Sequence, residues 1–162
     1  MKKLFLFFTI ILLSYNGAFA QEQTLLKGSV EKVPDTFFGT WRVVSTRVDT
    51  DSPISFKEKG VDLWNLSQDK DVITLSNPFS GAVAEIKIED ASHNGVTFVK
   101  TGKYDNKFLT DKVNITIEDD KFIGSDELKL DTISDVDGSI RKTETAIYTI
   151  KGEKIAGQSV DN

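Results

Sequence analysis

The side chains that could do covalent chemistry in this sequence are few, and their surroundings narrow them further. His93 is the only histidine and cysteine is absent, so a nucleophile could be paired with no base but this one ring. His93 falls in Ser92-His93-Asn94-Gly95, a hairpin tip open to solvent, where a catalytic base is not expected. A zinc centre built from several His or Cys is excluded by the same count. The carboxylate pairs Glu89-Asp90, Asp119-Asp120 and Asp126-Glu127 offer the inventory of an acid–base hydrolase, but are read as solvated residues of turns and outer faces. Asp135-Val136-Asp137-Gly138 with Glu144 matches positions three, five, six and twelve of a calcium loop, yet Ile133 would stand at position one and no helices flank it. A β-turn accounts for Asp137-Gly138 instead. The expectation is a protein that is not an enzyme and carries no metal or cofactor.

Recognition is a second kind of chemistry, and here the spacing is more informative. Trp41, Val43, Ser45 and Arg47 alternate along one extended run and so share a face. With Trp41 directed inward, Arg47 lies on the same inner face near an open mouth. Its guanidinium could there hold the carboxylate or phosphate of an amphiphile whose tail lies on Val43. A bulge before Arg47 would turn it to solvent. Phe98 and Tyr148 have the parity of other inward residues, which makes Trp41, Val43, Arg47, Phe98 and Tyr148 the expected ligand-binding set, with Trp64 and Tyr104 as further candidates. Small inward residues at Ala82, Ala84, Gly124 and Ala146 leave room either for a ligand or for these rings.

Short strands must position those residues. The first runs from about Thr40 to Val48, and Asp49-Thr50-Asp51-Ser52-Pro53 ends it with turn formers. Ile54 to Gly60 predicts one or two helical turns closed by Gly60. From Val61 onward the apolar period is near two, with turn signals about every dozen residues. Runs at 61–67, 71–76, 82–89, 96–104, 109–118, 122–130, 140–150 and 153–157 follow, the last two separated by a turn at Lys151-Gly152. Ile86 and Ile88 alternate with Lys87 and Glu89, and Val113, Ile115 and Ile117 with Asn114 and Thr116. Asn94-Gly95 reads as a two-residue hairpin turn. Strands joined by short turns without crossovers pair with their neighbours, and closing such a meander removes its exposed edges. The expected fold is all-β: an antiparallel up-and-down barrel of eight to ten strands with one short helix after the first strand. A Greek-key sandwich is the alternative.

Phe37-Phe38-Gly39-Thr40-Trp41-Arg42-Val43-Val44-Ser45 resembles the first strand of the calycin superfamily, the lipocalins and fatty-acid-binding proteins, which carry Gly-x-Trp here. The resemblance implies a lipocalin-like barrel with Trp41 closing one end under a basic residue from a late strand: Arg141, Lys151 or Lys154. It also implies a small apolar or amphipathic ligand. Two features of the fatty-acid-binding proteins are missing: there is no room for a two-helix lid after the first strand, and Ala146 stands where an Arg would precede Tyr148.

Composition fits export. Lys2 and Lys3, the apolar run from Leu4 to Leu13 and the small-residue site Ala18-Phe19-Ala20 predict a secretory signal peptide over 1–20, too short to span a bilayer. Residues 21–33 read as a flexible leader and 34–162 as one barrel domain, periplasmic or extracellular and not membrane-spanning after cleavage. Without Lys2 and Lys3 the chain has 18 basic against 25 acidic side chains, a net charge of −7, which argues against nucleic acid as partner. The expected state is a monomer. The alternative function is a protein-interaction module with a filled barrel, meeting its partner through loops or through Val44 and Val48.

Overall fold

Period-two patterning produces eight strands in the computed structural model, which describes residues 33–157. The expected signal peptide and nearly all of the expected leader lie outside those residues. Val33 is described, and it is buried against the core. The strands are β1 (Gly39–Thr50), β2 (Lys59–Asp69), β3 (Val72–Ser76), β4 (Val83–Ala91), β5 (Gly95–Tyr104), β6 (Lys107–Glu118), β7 (Lys121–Ile133) and β8 (Ile140–Ala156). Each pairs antiparallel with the next, and β8 pairs back on β1, so the sheet closes into an up-and-down barrel. The sandwich alternative is thereby set aside. No described helix is long and apolar enough to cross a membrane.

Three expectations are corrected. No helix follows β1. The segment between β1 and β2 makes one turn, with the amides of Ser55 and Phe56 donating to Ser52 O, and a three-residue 3-10 helix (Asp35–Phe37) precedes β1. Tertiary partners win at 52–58. Glu144 takes the hydroxyls of Ser52 and Ser55, and Phe56 is buried, which leaves no free face for a helix to continue along.

Secondly, 140–150 and 153–157 form one strand. Gly152 sits within β8 opposite Phe122, and a Cβ there would come within 2.1 Å of the Phe122 ring. Its role is to admit that ring, not to turn the chain. Thirdly, the hairpin between β4 and β5 turns on Ser92-His93-Asn94, with Ser92 N–H donating to Gly95 O and Gly95 N–H to Ser92 Oγ. Gly95 already belongs to the strand.

The four connections β1–β2, β3–β4, β5–β6 and β7–β8 lie at one end of the barrel. At the other end lie the remaining turns and the 3-10 helix. That second end is packed shut. Trp41, Phe37, Phe98, Phe122 and Leu66 are all at most 2% exposed. Trp41 meets Phe122 at 5.1 Å, Trp64 stacks on Phe122 at 5.9 Å, and Phe98 meets both Phe37 and Trp64 edge-on. Such ring pairs add about 0.5–1.5 kcal/mol each beyond the area they bury.

The Gly39-x-Trp41 motif has a physical reading in this closure. Gly39 has φ +124°, and a Cβ there would lie 2.8 Å from Ala156 O; only glycine passes. Trp41 Nε1 donates to Phe37 O at 3.0 Å. The basic residue over the indole is Lys154, whose Nζ lies 4.8 Å from the ring and donates to Thr36 O at 2.7 Å. A bulge at Ile155 sets that pairing: Thr40 faces Ala156, but Trp41 faces Lys154.

Candidate functional site

Alternation carries both apolar and charged side chains inward, and at the open end the charged ones gather. Lys100 has the parity of Phe98 on β5, Asp111 that of Val113 on β6, Asp126 that of Phe122 on β7, and Asp62 that of Trp64 on β2. Lys100 Nζ lies 2.6 Å from Asp111 Oδ2 and 5.7 Å from the Trp64 ring. The aromatic core therefore forms the floor beneath the lysine. Asp111 is 3% and Asp126 8% exposed, and Oδ1 of each is buried without accepting a hydrogen bond from any described residue. Asp62, exposed at the rim, takes the amides of Leu63 and of the Asn77 side chain.

Burial sets the protonation of this cluster. Desolvation pushes the Asp126 carboxyl up to about 7, and the neighbouring charge of Asp111 adds to the rise while Lys100 opposes it. Asp111 is also raised by burial, though its ion pair with Lys100 counters that. Lys100 is held above its usual value because the pull of Asp111, Asp126 and Asp62 exceeds its own desolvation. Two buried carboxylates stand near one half-buried ammonium that pairs with Asp111, and Asp126 is the one left over.

Two hollows open onto this layer, in which Asp111 and Asp126 are diagonal neighbours on β6 and β7, Asp111 opposite Leu128 and Val113 opposite Asp126. One, of about 230 Å³, lies under the β3–β4 connection and is lined by Leu75, Ala84, Tyr104 and Leu109 together with Lys100 and Asp111. The other, of about 200 Å³, is lined by Ser45, Gly60, Leu128 and Tyr148 together with Asp126.

The residues expected from the sequence to hold a ligand are divided between the two ends. Trp41, Val43 and Phe98 sit in the packed half and touch neither hollow. Tyr148 lines the smaller hollow, and its hydroxyl donates to Lys57 O at 2.8 Å. Arg47 keeps the inward parity of Trp41, because the bulge in β1 comes after it, at Val48. Its guanidinium donates to the carbonyls of Phe56 and Pro53, which clamps the β1–β2 connection. Gly124 does not make room for a ligand either, since a Cβ there would meet Asn114 O at 2.0 Å.

Sequence reasoning missed Lys100, Asp111 and Asp126, and it placed Asp126-Glu127 outside. Glu127 is exposed, but Asp126 points in. The signal was present: four charged residues on four strands share parity with an inward aromatic or valine two or four positions away. Polar type was allowed to outweigh alternation.

No family model matches the chain, and no curated protein does. Among solved structures, that of EF1p2_mFAP2b bound to DFHBI is similar, with 14% identity over 78% of this chain and 100% of that one, at a TM-score of 0.43.

Proposed function

We propose that this chain is an exported, non-enzymatic, lipocalin-like protein that binds a small amphipathic molecule at the mouth of its barrel. The observation that carries this is the hollow of about 230 Å³ lined by Leu75, Ala84, Leu109 and Tyr104 together with the ion pair of half-buried Lys100 and buried Asp111. An apolar wall with a few convergent polar groups is the usual make-up of a small-molecule site, and buried ionised groups of unbalanced sign are costly to keep and cluster at functional sites. The packed half of the barrel leaves no such space, so the ligand is short and sits high. Export rests on residues 1–20, and the monomeric state on closure of the sheet, which leaves no edge to pair with another copy.

Native mass spectrometry of protein purified from its own source tests the reading. A retained mass of a few hundred daltons is expected, and Leu109→Trp, which fills the hollow, should abolish it. Absence of any retained mass from several preparations would overturn the binding reading. A second reading, a protein-interaction module, draws on Ile54, Phe79 and Val136, which are 100%, 87% and 88% exposed on three loops at the same open end. It would be preferred if Ile54→Ser with Phe79→Ser removed a co-purifying protein while no small mass was ever found.

A further inference from the structure

The unbalanced layer at the mouth points to the charge of its ligand. Asp111 and Asp126 are both more than nine-tenths buried and the Oδ1 of each lacks a donor among the described residues, while Asp111 lines one hollow and Asp126 the other. Above about pH 7, where Asp126 is ionised, both carboxylates only accept hydrogen bonds, so what completes this layer there must donate. An added carboxylate or phosphate would instead meet two like charges with a single lysine between them.

We infer that the mouth receives a small ligand bearing a primary ammonium group, taken up by the free oxygens of Asp111 and Asp126 beside Lys100, with its apolar part on Leu75 and Leu109. The inference rests on the binding function proposed above and specifies its ligand class. The fatty-acid-like headgroup that the sequence suggested for Arg47 has no counterpart here, since that guanidinium is committed to the carbonyls of the β1–β2 connection.

A proton competes for the same place. Asp126 titrates at about 7, and an ammonium bound to its carboxylate displaces that proton, so affinity should rise with pH through this range. The other groups around Asp126 are Asp111 on β6, Lys100 on β5, Tyr148 on β8 and Glu127 on its own strand, and Asp62 on β2 acts on Lys100. Lys57 and Lys59 stand at the rim of its hollow. Burial raises the Tyr148 hydroxyl further above neutrality.

Three probes of one shape separate the possibilities: phenethylamine, 2-phenylethanol and 3-phenylpropionate, titrated into the purified protein by calorimetry at pH 8 and pH 6. The amine should bind at least tenfold tighter than the alcohol at pH 8, lose about tenfold at pH 6, and outcompete the propionate at both. Asp126→Asn should remove the pH dependence and most of the preference for the amine. Lys100→Met should strengthen amine binding, because the ligand then takes the lysine's place beside Asp111; a purely structural lysine would give the opposite sign. Equal binding of alcohol and amine, or preference for the propionate, would overturn the inference and leave the binding function standing. If none of the three binds but a small mass is retained on purification, the inference falls alone. If no probe binds and no mass is retained, both fall.

Discussion

The two ends of this barrel are built from the same alternation and do opposite things. At the closed end the rings of Phe37, Trp41, Phe98 and Phe122 fill the interior, the indole of Trp41 donates to Phe37 O, and Lys154 covers its ring. At the open end the inward positions carry Lys100, Asp111 and Asp126, two of whose oxygens have no donor among the described residues. The connections differ as well. Turns at the closed end are polar (Lys70-Asp71, Ser92-His93-Asn94, Asp119-Asp120), whereas the mouth presents Ile54, Phe79 and Val136 to solvent. Stability is concentrated where nothing can enter, and the strain of buried charge is kept where something can.

Removing the closure should have the largest effect on this contrast. Trp41→Ala empties the site of a side chain that is 0% exposed and should cost about 4 kcal/mol, read as a shift in urea midpoint. An effect below about 1 kcal/mol would mean that the rings can collapse into the gap, and the two ends would then differ less than their packing suggests.

Asp126→Asn should act in the other direction. A carboxyl whose folded pKa lies above its unfolded value of 3.8, at about 7, binds more protons in the folded protein between those limits. Stability therefore falls as pH rises from about 4 to 7, and the loss is complete above 7. The linkage bound is about 4 kcal/mol, and the amide's own unmet donors reduce the gain from substitution to about 2 kcal/mol. Thermal melts should show Asp126→Asn more stable than the parent at pH 8 and no more stable at pH 4. A constant difference across that range would mean that Asp126 is not the group left over in the mouth.

The same contrast governs what could be read from sequence. Alternation at Ile86-Ile88 and at Val113-Ile115-Ile117 was legible because each apolar residue votes for the same face, and with short turns it led to the closed meander. The Lys154–Trp41 pairing could be narrowed only to three basic residues, because the bulge at Ile155 that sets it depends on how β8 meets β1, far away in sequence. The helix expected after β1 failed for a related reason: Ser52, Ser55 and Phe56 are claimed by Glu144 and the core, partners that local propensity does not see. The mouth was missed because it breaks the rule that finds cores, by turning charged residues inward.

Arg47 joins the mouth to the loop above it, and a smaller effect is expected there. Arg47→Ala removes the donors to Phe56 O and Pro53 O and should cost about 1–2 kcal/mol, with faster amide exchange confined to 52–58. Affinity for any mouth ligand should change less than threefold. A loss of binding with unchanged exchange would return Arg47 to the ligand and weaken the division drawn between clamp and site.

The smallest effect concerns the cation at the closed end. Lys154 is lowered from its usual pKa chiefly by desolvation, so its placement over Trp41 has a cost that the ring and Thr36 O must offset. A cation over an aromatic face at a partly solvated position is worth about 0.5–1 kcal/mol, and the stem of the lysine packs regardless of its charge. Lys154→Met keeps the stem and should lose no more than about 1 kcal/mol, whereas Lys154→Ala, which uncovers the indole as well, should lose roughly twice that by the same measure. Equal losses for the two would make the charge the whole contribution and the stem irrelevant. The ordering expected here says that even the cation over Trp41 at the closed end acts mainly as a lid, while the charges of the mouth act through their imbalance.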